Sequence, residues 1–518
     1  MKKKITKKPT PSTKVILPKI SPKTIFIIAI LLNLILSLLL FDPKLETGGD
    51  NALYLILGKS IISGQGFRDI HNPNQQPHTT VPPGFPFILG IGQLLFGNNF
   101  VAIKFIILLF SIGSLTIAYY LFRHYLEKDY LLPLFVFATL PIYLQYSFAL
   151  LSEIPFLFFG LLSFYLFELA LRKESLILLI ASAIAVVGSY YLRAAGIAFI
   201  VAFLGYLLWK RKIKWFIIFL LIILALVFPW LMRNYAINKQ NPYVDVLFVR
   251  NPYNLQSGKI TFGDFINRII ANIKIYFLYA LPQIFLPAIN NNAILTLLGI
   301  VITLIVILGI FSKKGRVFLA SIIGLVVYLG MLIIRPEVWS GDRFLLPVVP
   351  IILVYIFFGL ITLESKFKIK NAFKILVGVL FILVNIIAII PQAKIAIANN
   401  SLYLKGEKYA GYSADWVRWF ETIEWIDKNI PKNKIIMSRK PEFVYLLSGC
   451  KSIGYPFTED EKQVKDAIAN SDYILLDNFY WTGTTRRYLL PVIQKEQDKY
   501  QIVYKSNKPE FYVLQVKK

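Results

Sequence analysis

The chain has 518 residues, of which 56% are hydrophobic and only 16% charged. Its mean hydropathy of +0.61 excludes an ordinary soluble protein and indicates a polytopic membrane protein. The formal net charge of +27 does not indicate nucleic-acid binding, because the lysines and arginines stand mainly in short clusters between apolar runs, where they orient helices. The single cysteine, Cys450, excludes an internal disulfide framework and a cysteine-based metal site.

Long apolar runs recur along most of the chain. About eleven of them approach the ~20 residues that a helix needs to cross a bilayer. They predict membrane helices at 24–41, 100–122, 130–148, 154–171, 175–191, 195–209, 214–232, 292–311, 317–334, 344–363 and 372–391. The first run follows a basic segment, residues 1–23, and lacks a small-residue cleavage site, so we expect a retained helix.

The basic connections between these runs alternate, beginning with the N-terminal segment. The positive-inside rule therefore predicts a cytoplasmic N-terminus in a multi-pass protein of the cell (inner) membrane. The basic clusters are Arg123 with Lys128, Arg172-Lys173, Lys210-Arg211-Lys212 with Lys214, Lys313-Lys314 with Arg316, and Lys366, Lys368 and Lys370. The remaining segments are predicted to be extracytoplasmic, namely 42–99, 149–153, 233–291, 335–343 and the tail after 392.

One apolar segment, 273–289, does not fit this alternation, because counting it as a span would move Lys313-Lys314 outside. It contains Pro282 and Pro287, which interrupt a helix. We interpret it as a re-entrant or interface-lying segment.

Two extracytoplasmic segments are too long to be mere connections. The loop 42–99 contains amphipathic stretches at 51–62 and 85–96, which predict two helices lying on the bilayer surface. The tail predicts a helix over 414–429, followed by short β-like runs at 434–437, 473–476, 501–504 and 511–516. We therefore expect a membrane unit over 24–395 and a small α/β domain over 396–518, whose aromatic residues form its core.

Two acidic residues stand at extracytoplasmic ends of apolar helices. Asp50 follows the first run, in Glu46-Thr47-Gly48-Gly49-Asp50-Asn51, and Glu153 precedes Pro155 at the start of a later run. Each suits chemistry at the membrane face, with Tyr54, one turn after Asp50, as a further candidate. Each is also explained as a favourable charge at a helix N-terminus, with Ser152 as the cap before Glu153.

Four arginines lie at the same predicted face, each at a helix end and against the positive-inside trend. They are Arg193, Arg233, Arg335 and Arg343. One such arginine alone is explained by snorkelling to lipid headgroups. Four of them, together with Asp50, Glu153 and Asp342, favour a site for a phosphorylated lipid and a sugar, because guanidinium binds phosphate bidentately.

The first loop also contains His71 and His78. They are candidate ligands of a divalent metal ion alongside acidic residues, although two histidines in a loop rich in Pro and Asn are more often solvated. The sequence implies no other cofactor.

Several motifs occur in an order and spacing that resemble the GT-C membrane glycosyltransferases of the protein-mannosyltransferase and aminoarabinose-transferase type. They are Pro82-Pro83-Gly84-Phe85-Pro86, Ser152-Glu153-Ile154-Pro155, Phe228-Pro229-Trp230-Leu231-Met232-Arg233-Asn234-Tyr235 and Asp342-Arg343-Phe344-Leu345-Leu346-Pro347. The resemblance covers roughly residues 20–395. Val81 stands where aminoarabinose-type enzymes place a lysine before the Pro-Pro pair, which counts against an aminoarabinose or lipid A assignment.

The resemblance implies an all-α GT-C membrane fold and an inverting transfer of a hexosyl or pentosyl group from a polyprenyl-phosphate carrier to an acceptor hydroxyl. By match, Asp50 is the catalytic base and Glu153 positions the donor or acceptor. Arg233, with Asn234 beside it, and Arg343 are implied ligands of the lipid phosphate. The implied partners are the polyprenyl-phosphate sugar, an acceptor glycan, lipid or protein, and the bilayer.

The chemistry is consistent with these residue types. A carboxylate within hydrogen-bond reach suffices to remove a proton from the attacking hydroxyl. The leaving phosphate needs no acid catalyst, but its developing charge needs arginines or a divalent ion.

Two other functional classes are compatible with the sequence. A transporter or lipid flippase would place ionisable residues near the bilayer midplane, where Lys104 is the only candidate, although it lies near a helix end and can snorkel. An O-antigen ligase or polymerase would carry a long arginine-rich outer loop, for which 233–291, with Arg233, Arg250 and Arg268, is the candidate. Segment 438–441 of the tail either contacts the acceptor or caps the outer face.

Overall fold

The computed structural model describes residues 21–48, 50–239, 242–254, 257–312, 318–369 and 372–517. A helical membrane unit is followed by a C-terminal α/β domain. The helices of the membrane unit are α1 (Pro22–Leu39), α2 (Asp50–Ile62), α3 (Gly84–Phe96), α4 (Phe100–Leu126), α5 (Leu131–Ala138), α6 (Pro141–Tyr146), α7 (Glu153–Lys173), α8 (Leu176–Leu192), α9 (Ile197–Trp209), α10 (Ile213–Ile237), α11 (Pro242–Leu247), α12 (Phe262–Ile273), α13 (Leu281–Phe285), α14 (Asn292–Phe311), α15 (Leu319–Ile333), α16 (Val349–Phe367) and α17 (Ala372–Leu404).

Every predicted membrane run corresponds to helix among the described residues. Seven helices there, some with adjoining 3₁₀ turns, are long and apolar enough to cross a membrane: α1, α4, α7, α10, α14, α16 and α17. Helices α8, α9 and α15 are apolar but shorter. The run predicted at 130–148 divides into α5 and α6, because Pro141 has no N–H with which to continue α5. Several predicted basic positions lie outside the described residues, namely those within 1–20 and Lys313, Lys314, Arg316 and Lys370.

The helix expected to break at Pro282 is continuous there. Helix α12, the π-helical turn Lys274–Ala280 and α13 follow one another without a gap, and the helix ends only before Pro287. The π turn changes the hydrogen-bond register just before Pro282, so the missing N–H is accommodated. The turn packs directly on α14, where a Cβ added to Gly299 would lie 2.5 Å from the Phe277 carbonyl oxygen.

The first loop forms two helices, α2 and α3, as the amphipathic stretches predict. Their backbones approach closely, because a Cβ added to Gly58 would lie 2.6 Å from the Pro86 carbonyl oxygen. Gly84 packs in the same way on Tyr191 at the end of α8, where an added Cβ would be 2.7 Å from the carbonyl oxygen. Glycine at these points allows α3 to pack closely on α2 and on the end of α8.

The C-terminal domain combines α18 (Ala414–Asn429), α19 (Pro441–Ser448), α20 (Glu461–Ala469) and α21 (Leu490–Lys495) with a five-stranded sheet. The strands are β1 (Ile435–Ser438), β2 (Lys451–Ile453), β3 (Tyr473–Leu476), β4 (Tyr500–Lys505) and β5 (Tyr512–Val516), in the order β2-β1-β3-β5-β4. β1 is parallel to β2 and β3, and β5 is antiparallel to β3 and β4. The short strand β2 is not indicated by the sequence pattern.

The α/β character and α18 agree with the prediction. Trp416 and Trp419 are 6% and 0% exposed, so they belong to the core as expected. The boundary predicted at 395/396 falls inside α17, which continues to Leu404.

The domain docks on the first loop through hydrogen bonds to its backbone. Ser452 N donates to the carbonyl oxygen of His71 at 2.8 Å. Lys44 Nζ donates in the other direction, to the Gly411 carbonyl oxygen, at 2.8 Å. We call the end of the membrane unit that meets the C-terminal domain the domain face.

Candidate functional site

Asp50 is the first residue of α2, at the domain face. Its side chain is 56% exposed, and Arg343 Nη2 lies 3.8 Å from Asp50 Oδ2. This distance is longer than a good hydrogen bond. The carboxylate is therefore oriented towards a cation but still accessible to a substrate.

Glu153 is the first residue of α7 and is only 2% exposed. Its Oε1 accepts a hydrogen bond from Arg193 Nη1 at 2.8 Å and lies 4.0 Å from Arg343 Nε. Its Oε2 is buried and has no hydrogen-bond partner among the described residues. Glu153 is thus a paired, buried carboxylate with one oxygen left for another group.

Ser152 stands at the N-cap position of α7, as the sequence predicts. Its side chain makes no capping hydrogen bond. The Ser152 Oγ instead accepts from Arg193 Nη1 at 3.0 Å. The side chains of Ser152 and Glu153 therefore both bind Arg193.

Three arginines surround the ring of Phe344. The guanidinium carbons of Arg193, Arg335 and Arg343 lie 5.4, 4.6 and 4.6 Å from its centroid. Cation–π attraction allows the ring to hold several guanidinium groups together. We call Arg193, Arg335 and Arg343 the arginine cluster.

The arginine cluster carries more positive charge than its surroundings neutralise. Arg335 has no carboxylate within 4.0 Å in the part of the chain that the structure describes. Burial lowers the pKa of Arg335, and the like charges of Arg193 and Arg343 lower it further. Such an excess of partly buried guanidinium groups favours binding of an anion such as phosphate.

Two tyrosines support this cluster. Burial raises the pKa of Tyr54, whose hydroxyl neighbours Arg193 and Ser152. Tyr328 of α15 is 1% exposed and donates a hydrogen bond to the Phe344 carbonyl oxygen at 2.8 Å. The sequence does not point to Tyr328, because one tyrosine in an apolar helix is an ordinary core residue.

Two neighbouring cavities adjoin the cluster. One, of about 400 Å³, is lined by Arg193 and Arg335 together with apolar side chains such as Leu247 and Leu332. The other, of about 490 Å³, is lined by Trp230, Asn234 and Tyr235 among others, and shares Thr80, Ala194 and Met331 with the first. A site that is cationic at one point and apolar beyond it suits an amphipathic phosphate.

Arg233 is used differently from the arginine cluster. Its guanidinium donates to the carbonyl oxygens of His78 at 2.9 Å and Phe67 at 3.1 Å, and to Asn234 Oδ1 at 2.9 Å. It also stacks on Trp230 at 4.9 Å. These contacts attach the first loop to α10, and Asn234 lines the larger of the two cavities.

Asp342 is exposed, and its Oδ1 accepts the backbone N–H of Arg343 at 2.8 Å. This is a local turn contact that orients the chain at Arg343. The structure does not bring Asp342 into an ion pair with the arginine cluster.

The two histidines of the first loop have different surroundings. His78 Nδ1 lies 2.8 Å from Asp69 Oδ1, and His78 Nε2 accepts the backbone N–H of Val81 at 3.0 Å. Both ring nitrogens of His78 are therefore engaged. Burial lowers the pKa of His71, whose Nδ1 has no hydrogen-bond partner among the described residues. Those residues contain no group of three or more His, Cys, Asp or Glu side chains suited to a metal ion.

Lys440 reaches the site from the C-terminal domain. It is 9% exposed, and its Nζ donates to the carbonyl oxygens of Thr47 at 3.2 Å and Gly48 at 2.7 Å. Burial lowers its pKa to about 8, while the nearby Asp50 carboxylate acts in the opposite direction. The sequence indicated the segment 438–441 but not which residue in it reaches the first loop.

The chain is similar to known proteins in part of its sequence and in its fold. A family model described as dolichyl-phosphate-mannose-protein mannosyltransferase matches residues 80–232. Two crystal structures of ArnT from Cupriavidus metallidurans, one bound to undecaprenyl phosphate and one in the apo state, each align with a TM-score of 0.56 and 11% identity, over 94% of this chain and 97% of theirs. The chain has a GT-C fold. A search of curated proteins gave no match.

The resemblance predicted from the motifs is thus confirmed at the level of the GT-C fold in a multi-pass membrane protein. The family match includes Glu153 and Arg193. It does not include Asp50, Arg335 or Arg343. The fold brings these three residues close to Glu153 and Arg193.

Proposed function

We propose that this GT-C protein is an inverting glycosyltransferase, which moves a hexosyl or pentosyl group from a polyprenyl-phosphate carrier to an acceptor hydroxyl. The observation that carries the proposal is the 3.8 Å approach of Arg343 to Asp50. It places an accessible carboxylate beside a cationic cluster whose charge Glu153 compensates only in part. A proton acceptor next to an anion site is what transfer from a lipid phosphate requires.

The arginine cluster receives the donor phosphate. The phosphate neutralises the excess charge at Arg335, and guanidinium groups offer it paired hydrogen bonds. The polyprenyl chain then lies along the apolar walls of the 400 and 490 Å³ cavities. Binding energy from this remote chain holds the anomeric carbon in place for reaction.

Asp50 acts as the general base. The acceptor oxygen forms a bond to the anomeric carbon while the bond from that carbon to the phosphate oxygen breaks. The bonding electrons leave with polyprenyl phosphate, and the hydroxyl proton moves to the Asp50 carboxylate. The arginine cluster stabilises the developing phosphate charge, so a general acid is not needed.

Glu153 positions Arg193 and the donor sugar and does not accept the proton. Its Oε1 holds Arg193, and the unpartnered Oε2 offers an acceptor for a hydroxyl of the donor sugar. A buried carboxylate oxygen without a partner gains most from such a bond.

The domain face is extracytoplasmic in this proposal. The alternating basic connections support that side and a cytoplasmic N-terminus in the cell (inner) membrane. The ArnT relative bound to undecaprenyl phosphate supports a polyprenyl carrier.

The arginines of the segment 233–291 do not favour a ligase or polymerase. Arg268 donates to the carbonyl oxygens of Leu247 at 2.8 Å and Val249 at 2.7 Å. Arg250 pairs with Asp264 at 2.7 Å. Both side chains hold their own segment instead of converging on a substrate site.

Lys104 does not favour a transporter. It lies in the second turn of α4 and donates to the Asp42 carbonyl oxygen at 2.9 Å. Its charge therefore holds the first loop at the end of the membrane unit. Transporters instead use ionisable groups near the bilayer midplane.

The test is turnover by the purified protein in liposomes with a panel of polyprenyl-phosphate hexoses and pentoses. Wild type is expected to release polyprenyl phosphate from at least one donor, and Asp50→Asn to reduce kcat by at least about a hundredfold, in the range of general-base catalysis. Asp427→Asn, which alters an exposed ion pair with Lys432 in the C-terminal domain, is the matched control.

Two outcomes contradict the proposal. Normal turnover by Asp50→Asn, with thermal unfolding unchanged, removes Asp50 as the base. Passage of an unmodified labelled lipid or solute across the liposome membrane, without release of polyprenyl phosphate from any donor, favours the transporter.

A further inference from the structure

A polar cavity of about 570 Å³ is lined by Glu46 and Thr47, shortly before Asp50, and takes no part in the donor site described above. Its walls come from the segment 40–47, from Lys104 of α4, from the end of α6 and the residues after it, from helix α17, and from residues 411–416 and Tyr480 of the C-terminal domain. None of the arginine cluster lines it. The cavity is therefore distinct from the place proposed for the phosphate.

The charged groups that line this cavity neutralise one another. Lys44 Nζ lies 3.2 Å from Asp42 Oδ2, and Lys104 Nζ lies 3.6 Å from Glu46 Oε1. Two acids and two bases leave no net charge on the lining. Such a cavity discriminates against a phosphate or an ammonium group, because an added charge would have to break an existing pair.

The uncharged part of the lining combines amides and aromatic rings. Gln145 Nε2 donates to Gln392 Oε1 at 2.7 Å, which leaves further amide donors and acceptors available on both side chains. Tyr480 contributes a ring that is 77% exposed, although exposed large aromatic groups are unfavourable in water. Tyr412 and Trp416 add aromatic surface to the same wall. Amides that bond hydroxyl groups, beside rings that cover C–H faces, are suited to a neutral sugar.

The wall of the cavity leads directly to Asp50. Thr47 lines the cavity three residues before Asp50. Asn51, the residue after Asp50, donates from Nδ2 to Glu46 Oε2 at 3.3 Å. A ligand that lies against Thr47 and Glu46 therefore lies against the groups that hold the start of α2.

We propose that this cavity binds the acceptor and that the acceptor is a neutral carbohydrate. The inference rests on the proposed glycosyltransferase function and adds the class of its second substrate. The sugar stacks on Tyr480, bonds Gln145 and Gln392, and presents one hydroxyl to Asp50. In the transfer step that hydroxyl oxygen bonds to the anomeric carbon of the donor, its proton passes to Asp50, and polyprenyl phosphate leaves with the electron pair of the broken bond.

The first test is direct binding, which does not depend on turnover. Saturation-transfer NMR with the full-length protein in nanodiscs measures binding of maltotetraose, cellotetraose, mannotetraose and chitotetraose. At least one is expected to bind wild type, and Tyr480→Ala to weaken it about tenfold, equivalent to one lost ring contact. Tyr480→Phe keeps the ring and is expected to bind within about twofold of wild type, since only the hydroxyl is lost.

The controls separate stacking from folding. Ile502→Ala removes another exposed apolar side chain of the C-terminal domain and is expected to leave binding unchanged. Gln392→Ala tests the amide wall and is expected to weaken the same saccharide. Because Tyr480 is mostly exposed, the thermal unfolding temperature of Tyr480→Ala should match that of wild type.

The second test uses turnover and distinguishes the two proposals. With a donor that wild type consumes, Tyr480→Ala should raise KM for the saccharide, whereas the control Ile502→Ala should leave KM and kcat unchanged. Transfer to a Ser/Thr-rich peptide or to an anionic lipid, with no saccharide bound, overturns the carbohydrate acceptor but keeps the glycosyltransferase. Saccharide binding that Tyr480→Ala and Gln392→Ala do not weaken overturns the assignment of the cavity.

Discussion

Lys440 Nζ donates a hydrogen bond to the carbonyl oxygen of Gly48 at 2.7 Å, and this contact joins the C-terminal domain to the residues just before Asp50. The same ammonium lies 5.4 Å from the ring centroid of Trp481. A buried cation with backbone acceptors and an aromatic neighbour holds one position. The C-terminal domain therefore orients the loop that carries the proposed base.

Lys440→Met is expected to lower kcat at least about tenfold, because a displaced base loses its alignment with the acceptor hydroxyl. KM for the donor should change little, since the arginine cluster is untouched. Lys440→Arg, which keeps the charge and the donors, should recover part of the rate. Steady-state kinetics with the donor panel measures both parameters.

The control for this substitution is Lys432→Met, which removes an exposed lysine paired with Asp427 in the same domain. It should leave kcat unchanged. A higher donor KM with an unchanged kcat in Lys440→Met would contradict the positioning role and indicate contact with the donor.

Lys440 also predicts a pH dependence of stability. Burial, with the charge of Arg439, lowers its pKa from 10.5 to about 8. Between these values the unfolded chain holds a proton that the folded chain has lost, so the contribution of Lys440 to the free energy of unfolding increases with pH across this window. The contribution is complete above about pH 10.5 and is lost as the pH falls through about 8.

The measurement compares the thermal unfolding of wild type and Lys440→Met in detergent. The stability of wild type relative to the variant should increase between about pH 7.5 and pH 10, because only wild type has this titration. Other groups titrate in both proteins and cancel in the difference. A difference that stays constant or decreases over this range would show that folding does not lower the proton affinity of the Lys440 side chain.

The buried pair of Glu153 and Arg193 should be sensitive to loss of either charge. Glu153→Ala leaves a guanidinium without its 2.8 Å partner in a buried place and is expected to cost about 3 kcal/mol of stability. Glu153→Gln keeps a hydrogen-bond acceptor and should cost less. Both variants should lower donor turnover, because Arg193 then loses its orientation in the arginine cluster.

A double variant, Glu153→Gln with Arg193→Gln, separates stability from function. Removing both charges should recover part of the stability lost in the single variants, since no unpaired charge is left. Activity should not return, because the phosphate site has lost a guanidinium. Chemical denaturation and donor turnover are measured on the same four proteins, and strictly additive stability losses would argue against direct coupling.

Arg335→Met is expected to stabilise the ligand-free protein while weakening the donor site. The like charges of Arg193 and Arg343 oppose Arg335, so its removal should raise the unfolding temperature by a few degrees, as at other functional sites under electrostatic strain. KM for the donor should rise about tenfold or more with the loss of a charge-assisted bond.

Arg487→Gln, which alters an exposed pair with Glu459, is the matched control and should change neither quantity. If Arg335→Met destabilises the protein and leaves donor KM unchanged, Arg335 acts as a structural residue and not as a phosphate ligand.

Local sequence patterns predicted most of the helices, because apolar length and turn residues act within a few neighbours along the chain. Helices α2 and α3 and the C-terminal α18 lie close to their predicted bounds. Pro282 shows the limit of such patterns. A π turn accommodates its missing N–H, and this turn packs on α14, which is distant from any local pattern around Pro282.

The candidate site was predictable only in part. Asp50, Glu153 and the arginines were found because charged residues at the ends of apolar runs are costly and therefore informative. The sequence grouped Arg233 with Arg343, whereas the structure attaches Arg233 to the first loop and brings Arg193 and Arg335 to Arg343 around Phe344.

The sequence by itself determined that this is a polytopic membrane protein with a helical membrane unit, a two-helix first loop and a small α/β tail, since composition and periodicity are local properties. Only the tertiary structure decided which charges meet. Asp50 and Arg343 are nearly three hundred residues apart along the chain, and Lys440 belongs to another domain. Their contacts depend on how α2, α7, α8 and the C-terminal domain pack, and packing over such separations leaves no periodic signal in the sequence.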